Sequence, residues 1–449
     1  MRNLNRLEKR GSVLVGSVIL AIIGAIVIGG YLSMASNEFR LAQRTIQLQS
    51  AMSIAEAGLE EGINSVNLES WSGWTAVGSN AYFKSVGGIA FTDSRTAEFK
   101  IYVENYDTLP ILASEGKGIN ADGSEIVKQI RVHLARSSVF ANGMLAKRTI
   151  DFSGNNVSFD SYDSNQGLWS STNKLDDGAV SSLSVDNGAF DAGNADVWGY
   201  VATGGGEPDV GPNGSIMGED STQAVDPDRI SKDFYANLWD VSVPTGTVED
   251  ISYIVDYTEI TSDSIGSTGI PSNPEVYHLT SYSMSGTDQL VIEGPTVIIV
   301  DENFSVTGGA GITIEATNDA ALELYAAGDV TISGIGLLNA TLDPLAFQLW
   351  GTAPNGTSQD ISVKGNGDTA GVIYAPNADL AIVGQGAIAG AAVASTINVA
   401  GDAEFHYDVQ LAGFTRHSTY HVSRWRELRG VEQLDFTDTS ALASNIKPL

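Results

Sequence analysis

The chain has 449 residues, a net charge of −30, 17% charged residues, 49 glycines and no cysteine. That length can bury more than one core. The absence of cysteine excludes disulfides, thiolate metal sites and cysteine nucleophiles, and the acidic balance disfavours nucleic acid as a partner. Few charges among abundant Gly, Ser, Thr, Asn and Asp describe a turn-dense β protein, not an acidic disordered tail.

The first element is basic and then apolar. Arg2, Arg6, Lys9 and Arg10 precede Gly11 against one acid, Glu8, and residues 12–36 carry no charge. A helix of about 25 residues at 1.5 Å each spans roughly 37 Å, enough to cross a bilayer. The cationic leader stays cytoplasmic, which places the remainder beyond the inner membrane. Three processing outcomes compete. A secretory signal needs a shorter apolar run and an A-x-A-like site, and Tyr31-Leu32-Ser33-Met34 offers none. A plain transmembrane anchor would keep the whole segment. Cleavage directly after Gly11 would keep only the apolar helix.

The junction Lys9-Arg10-Gly11-Ser12 resembles the class III signal of type IV prepilins and pseudopilins. The resemblance implies a prepilin peptidase cutting between Gly11 and Ser12, and methylation of the new amine. It also implies an apolar helix that joins other pilin-like subunits. Residues 37–67 extend the helix without proline and contain Ala51-Met52-Ser53-Ile54-Ala55-Glu56-Ala57-Gly58-Leu59-Glu60, which resembles the pattern of PilX-like minor pilins. Ala51, Ala55, Gly58 and Gly62 form a stripe of small side chains beside Met52, Leu59, Ile63 and Val66. An amphipathic helix lying on its own domain explains the same pattern, and both uses can coexist. Major pilins carry Glu at the fifth mature position. Here it is Gly16, a feature shared with minor pilins that cap a tip.

Residues 71–91 read as a Gly- and Trp-containing loop. Ala97–Val103, Ile111–Ile119 and Glu125–Leu134 read as strands separated by turn clusters at Asn105–Asp107 and Asn120–Gly123. A long helix followed by a small antiparallel sheet is similar to a pilin headgroup.

After residue 137 a repeat emerges: a polar residue, then apolar-x-apolar-x-Gly. Its copies begin at Asn303, Asp329, Asp360 and Asp379, with a looser one at Thr396 and an earlier one around Ile150-Asp151-Phe152-Ser153-Gly154. The second apolar positions, Val306, Ile332, Val363 and Ile382, are assigned to the interior. Short strands with Gly at corners predict a parallel β-helix. Asn355-Gly356 and Asn366-Gly367, as hairpin signals, keep a sandwich open. Ile230, Phe234 and Leu238 have helical spacing inside an interruption rich in proline. The expected fold is mainly β with a long N-terminal α-helix: a pilin-like helix plus small antiparallel sheet, then a parallel β-helix (solenoid). Its parts are a leader (1–11), helix and sheet (12–136, with 12–36 membrane-spanning), a passenger (137–411) with an insertion at about 226–285, and a C-terminal cap (412–449).

Candidate chemistry is sparse. Asp151, Asp160 and Asp163, with Asn155 and Asn156 between them, could bind calcium or act on a polysaccharide, but Asp and Asn also populate turns. His406-Tyr407-Asp408 lacks any nucleophile motif. His417 and His421 have i, i+4 spacing without a third ligand. Trp350, Tyr374 and Tyr407 could form a sugar-binding ladder or a core stack. Arg424, Trp425, Arg426 and Arg429 form a basic patch expected to cap the passenger or meet an acidic neighbour. No residue is assigned as catalytic, cofactor-binding or metal-binding, and the processing residues are Gly11 and Ser12. The expected function is a minor pilin or pseudopilin-like subunit of a type IV pilus or type II secretion filament. Its expected partners are the prepilin peptidase, the inner membrane, other pilin-like subunits and a surface or polysaccharide ligand. It would reside in the bacterial inner membrane before assembly and at the pilus or cell surface afterwards. The alternatives are a membrane-anchored polysaccharide-active enzyme and an adhesin outside any filament.

Overall fold

The computed structural model describes residues 4–442, apart from 69, 91–95, 107–108, 121–122, 137, 155, 249–250, 335, 366–368, 385, 416–419 and 440–441, and without side chains for 4–12 and 365. The chain is mainly β with one long N-terminal helix, and it divides into two units, 1–136 with 419–449 and 137–418.

In the first unit, α1 (Leu4–Asn67) is followed by β1 (Thr75–Ala76), β2 (Ala81–Ala90), β3 (Thr96–Glu104), β4 (Ile111–Ile119) and β5 (Glu125–Arg136), paired antiparallel in that order. The segment expected as a loop over 71–91 thus contains a strand. Gly87-Gly88 disguised it, because these residues form a bulge between Val86 and Ile89, with Gly88 at φ 74°. The second half of α1 lies on this sheet. Ala55, Leu59 and Val66 are buried with Phe99, Ile101, Leu112, Ile130, Val132 and Leu134. A sixth strand, Tyr420–Leu428, pairs antiparallel with β5, and Tyr420 stands opposite Arg136. Within 412–449, expected as a cap on the passenger, Phe414 still packs on the core of the second unit, but the chain from Tyr420 returns to the first sheet. Phe436 and Leu442 close its other face over Ala81, Tyr102, Ile111 and Ala113. The second unit is inserted in sequence between two strands that pair with each other.

The second unit begins with short strands: β6 (Met144–Phe152), β7 (Ser158–Tyr162), β8 (Ala179–Ser182), β9 (Phe190–Asp191), β10 (Asp196–Trp198), β11 (Tyr200–Thr203), β12 (Ser215–Met217) and β13 (Ile230–Ser231). A small hairpin, β14 (Gly246–Val248) and β15 (Ile251–Tyr253), lies in the following connection. A second run then supplies β16 (Ser264–Ile265), β17 (Glu275–Leu279), β18 (Tyr282–Met284), β19 (Gln289–Ile292), β20 (Pro295–Val300) and β21 (Phe304–Val306). It continues with β22 (Gly311–Ile314), β23 (Ala321–Ala326), β24 (Val330–Ile332), β25 (Gly336–Asn339), β26 (Phe347–Gly351) and β27 (Asp360–Gly365). It ends with β28 (Thr369–Gly384), β29 (Ala387–Gly401) and β30 (Glu404–Asp408). The strand Tyr420–Leu428 is β31.

The strands of both runs pair in parallel. One ladder runs β17-β20-β23-β26-β28-β29-β6-β8-β11-β13, so the start of the first run stacks on the end of the second. The chain enters and leaves this unit mid-stack. The first run moves outward to β13, and the second begins at the opposite end and works inward.

The repeat has a physical basis in the neighbouring ladder, where Val306, Ile332, Val363, Ile382, Val399 and Phe152 fall in register. Val306, Ile332 and Ile382 are fully buried and Val363 is half-buried against the same core. Two polar corner residues accept from the next repeat: Asp329 N–H donates to Asn303 Oδ1 and Asp360 N–H to Asp329 Oδ1, both at 2.9 Å. The glycine is required where Gly334 adopts φ 85°, because a Cβ there would lie 2.0 Å from the Gly308 carbonyl oxygen.

Two expectations change. Residues 228–241 contain no α-helix, and the insertion expected over 226–285 already holds β16 and β17. The connection instead runs as an extended strap along the first ladder. Phe234 N–H donates to Thr203 O of β11, Tyr374 Oη of β28 brackets the backbone of Trp239, and Thr258 N–H reaches His278 O of β17. Ile230, Phe234 and Leu238 pack on the core beside Ala236, so an alternation of period two underlies the apparent helical spacing. Asn355-Gly356 joins β26 to β27, which lie in different parallel ladders, so it is not a hairpin; Asn366 and Gly367 lie outside the described residues.

Candidate functional site

The singled-out acids and histidine meet where the two runs join. β30 pairs in parallel with β7, placing His406 opposite Asp160 and Asp408 opposite Tyr162. His406 Nδ1 lies 2.6 Å from Asp160 Oδ1, across 246 residues of sequence. Trp169 Nε1–H donates to the same oxygen at 3.0 Å, and its ring stacks on the imidazole at 3.7 Å and 18°. Lys174 Nζ is 3.6 Å from Asp160 Oδ2, and Glu404 Oε2 is 3.6 Å from His406 Nε2. His406 is only 1% exposed and Asp160 3%. Burying a carboxylate is costly without partners, and here an imidazole, an indole and a lysine supply them.

Asp408 Oδ1 accepts from the N–H groups of Ser164 and Gln410. Asp163 accepts from Asn165 N–H, Gln166 Nε2 and Gln410 Nε2, and these bonds, Gln166 foremost, hold its carboxyl below the usual range. Asp151 stands apart in β6, opposite Asp191 of β9; burial and then the Asp191 charge push its carboxyl upward. Asn156 Nδ2 bonds Asp402, and Asn155 lies outside the described residues. Among the described residues no group of three His, Asp or Glu side chains is arranged to hold a metal. The join between the runs thus brings Asp160, Asp163, His406 and Asp408 together on β7, β30 and the turns that follow them, with Trp169 over His406 and no hydroxyl nucleophile bonded to His406 among the described residues. Sequence inspection missed Trp169 and Lys174, since only the parallel register brings their loop to β30.

The aromatic candidates are core. Trp350 and Tyr374 pack at a tilt of 48° with centroids 5.7 Å apart and are essentially unexposed, and Tyr374 anchors the strap. Tyr407 belongs to another ladder and donates to Phe140 O at 2.9 Å; burial drives its hydroxyl pKa upward. No sugar ring can stack on these faces as folded. His421 lies in β31, so it shares no helical face with position 417, which is outside the described residues. The basic patch lies in β31 and just after it, where Arg426 pairs with Glu432 and Arg429 with Glu427.

The small stripe of α1 packs inside its own unit. Ala51 and Ala55 are fully buried, and a Cβ on Gly116 would fall 2.2 Å from Ala51 O and 2.3 Å from Ala55 N. Gly58 and Gly62 face Phe99, Ser114, Ile101 and Leu112. The first half of the helix differs: its large apolar side chains, from Val13 to Ile46, are exposed. Gly11 and Ser12 lie in the helix, with side chains outside the description.

Residues 245–414 match a domain of unknown function (DUF7305), which spans the end of the strap and the second run. No curated protein matches the chain. Among solved structures, the competence-associated pilin ComZ from Thermus thermophilus aligns with a TM-score of 0.22 and 11% identity, over 85% of this chain and 97% of that one. The feature that fits a pilin-like subunit is within the chain itself: a long N-terminal helix, apolar and uncovered in its first half.

Proposed function

We propose that this chain is a PilX-like minor pilin or pseudopilin of a type IV pilus or type II secretion filament, with an inserted passenger wound as a parallel β-helix. The observation that carries this reading is the uncovered apolar half of α1 behind the Lys9-Arg10-Gly11-Ser12 junction. Such a surface needs lipid or other apolar helices around it. A prepilin peptidase would cut between Gly11 and Ser12, and methylation would follow. The subunit would wait in the inner membrane with the passenger outside the cytoplasm, then join pilin-like partners through this helix. The passenger would serve assembly, adhesion or surface interaction, with a surface or polysaccharide as its ligand. No hydrolase or lyase activity is expected, because the buried His406–Asp160 pair has the features of a clasp between the two runs.

The test is crosslinking in the native cell from positions within 13–46. Capture of other pilin-like subunits supports the filament. Capture of lipid alone supports a free-standing anchored adhesin. The winding of the passenger is tested separately by Ile332→Asp, which places an unpaired charge in a fully buried column. Cooperative loss of β circular dichroism is expected; unchanged stability would refute the assigned register.

A further inference from the structure

Beside β15 and the end of the strap, a cleft of about 180 Å³ opens over the first ladder of the second run. Its floor is formed by Glu323 and Gln348, direct partners in the β23–β26 register. Gln348 is 7% exposed; its Nε2 donates to Leu345 O at 2.9 Å, and its Oε1 is buried without a partner. That bond fixes the amide, so the carbonyl end is the end left over. Thr296 at the edge donates its hydroxyl proton to Gly294 O at 3.0 Å, and so offers only lone pairs to the cleft. Tyr325 Oη donates to Glu323 Oε2 from the same strand, which holds the carboxylate in place. Among the described residues, the polar side chains that line this space, Thr296, Asp319, Glu323 and Gln348, thus present acceptors. The walls are Pro271, Pro274 and Pro295, rigid and apolar.

An acceptor-only floor with hydrocarbon walls selects a ligand that only donates and carries an alkyl stem. An ammonium has three donors and no acceptor, and its methylenes can lie on proline rings. A hard divalent cation would want six or more oxygens; the cleft offers two carboxylates, Asp319 and Glu323, and among the described residues no third acid or histidine joins them. We propose that this cleft binds an alkylammonium group, either of a free amine or of a lysine side chain on a partner.

The test uses the full chain in detergent and titration calorimetry. The probes are 1,5-diaminopentane, N-acetyl-lysine methylamide, 1,5-pentanediol as a neutral match, and calcium chloride. The expected result is binding of a charged amine and none of the diol, with Glu323→Gln weakening binding by about tenfold or more. Gln348→Met, which keeps the volume, should weaken it several-fold. Stronger binding of the diamine points to a free amine, and stronger binding of the lysine derivative points to a partner's side chain. The proposal is overturned if neither amine binds at millimolar concentration, if the diol binds equally, if calcium binds in their place, or if both variants bind as the wild type does.

Discussion

The two halves of α1 belong to one continuous helix and are built for opposite surroundings. Residues 13–46 carry Val, Ile, Leu, Tyr and Phe side chains that are mostly more than half exposed, whereas the later half buries Ala51, Ala55 and Leu59 on its own sheet. Each large apolar side chain left in water forgoes roughly 1.5–3 kcal/mol of burial, so the first half is stable only when covered from outside. The second half uses small residues to bring helix and strand backbones together. Side-chain size thus divides the helix into an outward-facing part and a self-docked part. The motif that resembles PilX-like pilins falls on the self-docked part, and its small residues are consumed by Phe99, Ile101, Leu112, Ser114 and Gly116.

A pair of glycine substitutions tests this division most severely. Gly116→Val would force a Cβ to within 2.2 Å of the Ala51 carbonyl oxygen, and backbone cannot swing aside as a side chain can. A loss of about 3 kcal/mol or more is expected for the first unit, read as a lowered midpoint in denaturant. Gly24→Leu meets nothing within 4 Å and should leave that midpoint within about 0.5 kcal/mol. Equal effects of the two would erase the distinction between the halves.

The complementary change puts charge in the uncovered half. Val27→Arg should cost about 2.5–3.5 kcal/mol of membrane insertion, seen as protein lost from the membrane fraction, with the melting of the soluble head unchanged. If the head melts lower instead, the first half has a partner within the folded unit.

The sheet on which the second half docks also carries a pH dependence. His133, on the β5–β31 ladder, has its pKa lowered by burial first and then by the Arg131 and Arg424 charges. The unfolded chain therefore binds this proton more readily than the folded one. Stability should be full above about pH 6.5, the unfolded histidine value, and fall as pH drops from there toward the lower folded pKa. His133→Gln should flatten this part of the profile. An unchanged slope would show that other groups set it.

Local patterns were readable and remote pairings were not. The apolar run, the alternation in Ala97–Val103 and the acid-to-glycine repeat are decided by neighbours a few residues away, and the helix, β3 and the parallel ladders follow them. The β5–β31 pairing spans nearly 300 residues, and no local periodicity marks Tyr420–Leu428 as a partner of Glu125–Arg136. The same holds for His406 and Asp160, whose sequence neighbours suggested turns but not a shared buried bond. The strap misled through spacing: an extended chain on a stacked surface also buries every fourth residue when every second one faces inward.

Mass spectrometry of the N-terminus of protein purified from its native cell tests the central claim most directly. If the exposed half of α1 is a filament helix, the mature chain begins at Ser12 with a methylated amine, and Gly11→Val leaves the leader attached. An intact N-terminus at Met1 would contradict the account and leave a membrane anchor in its place.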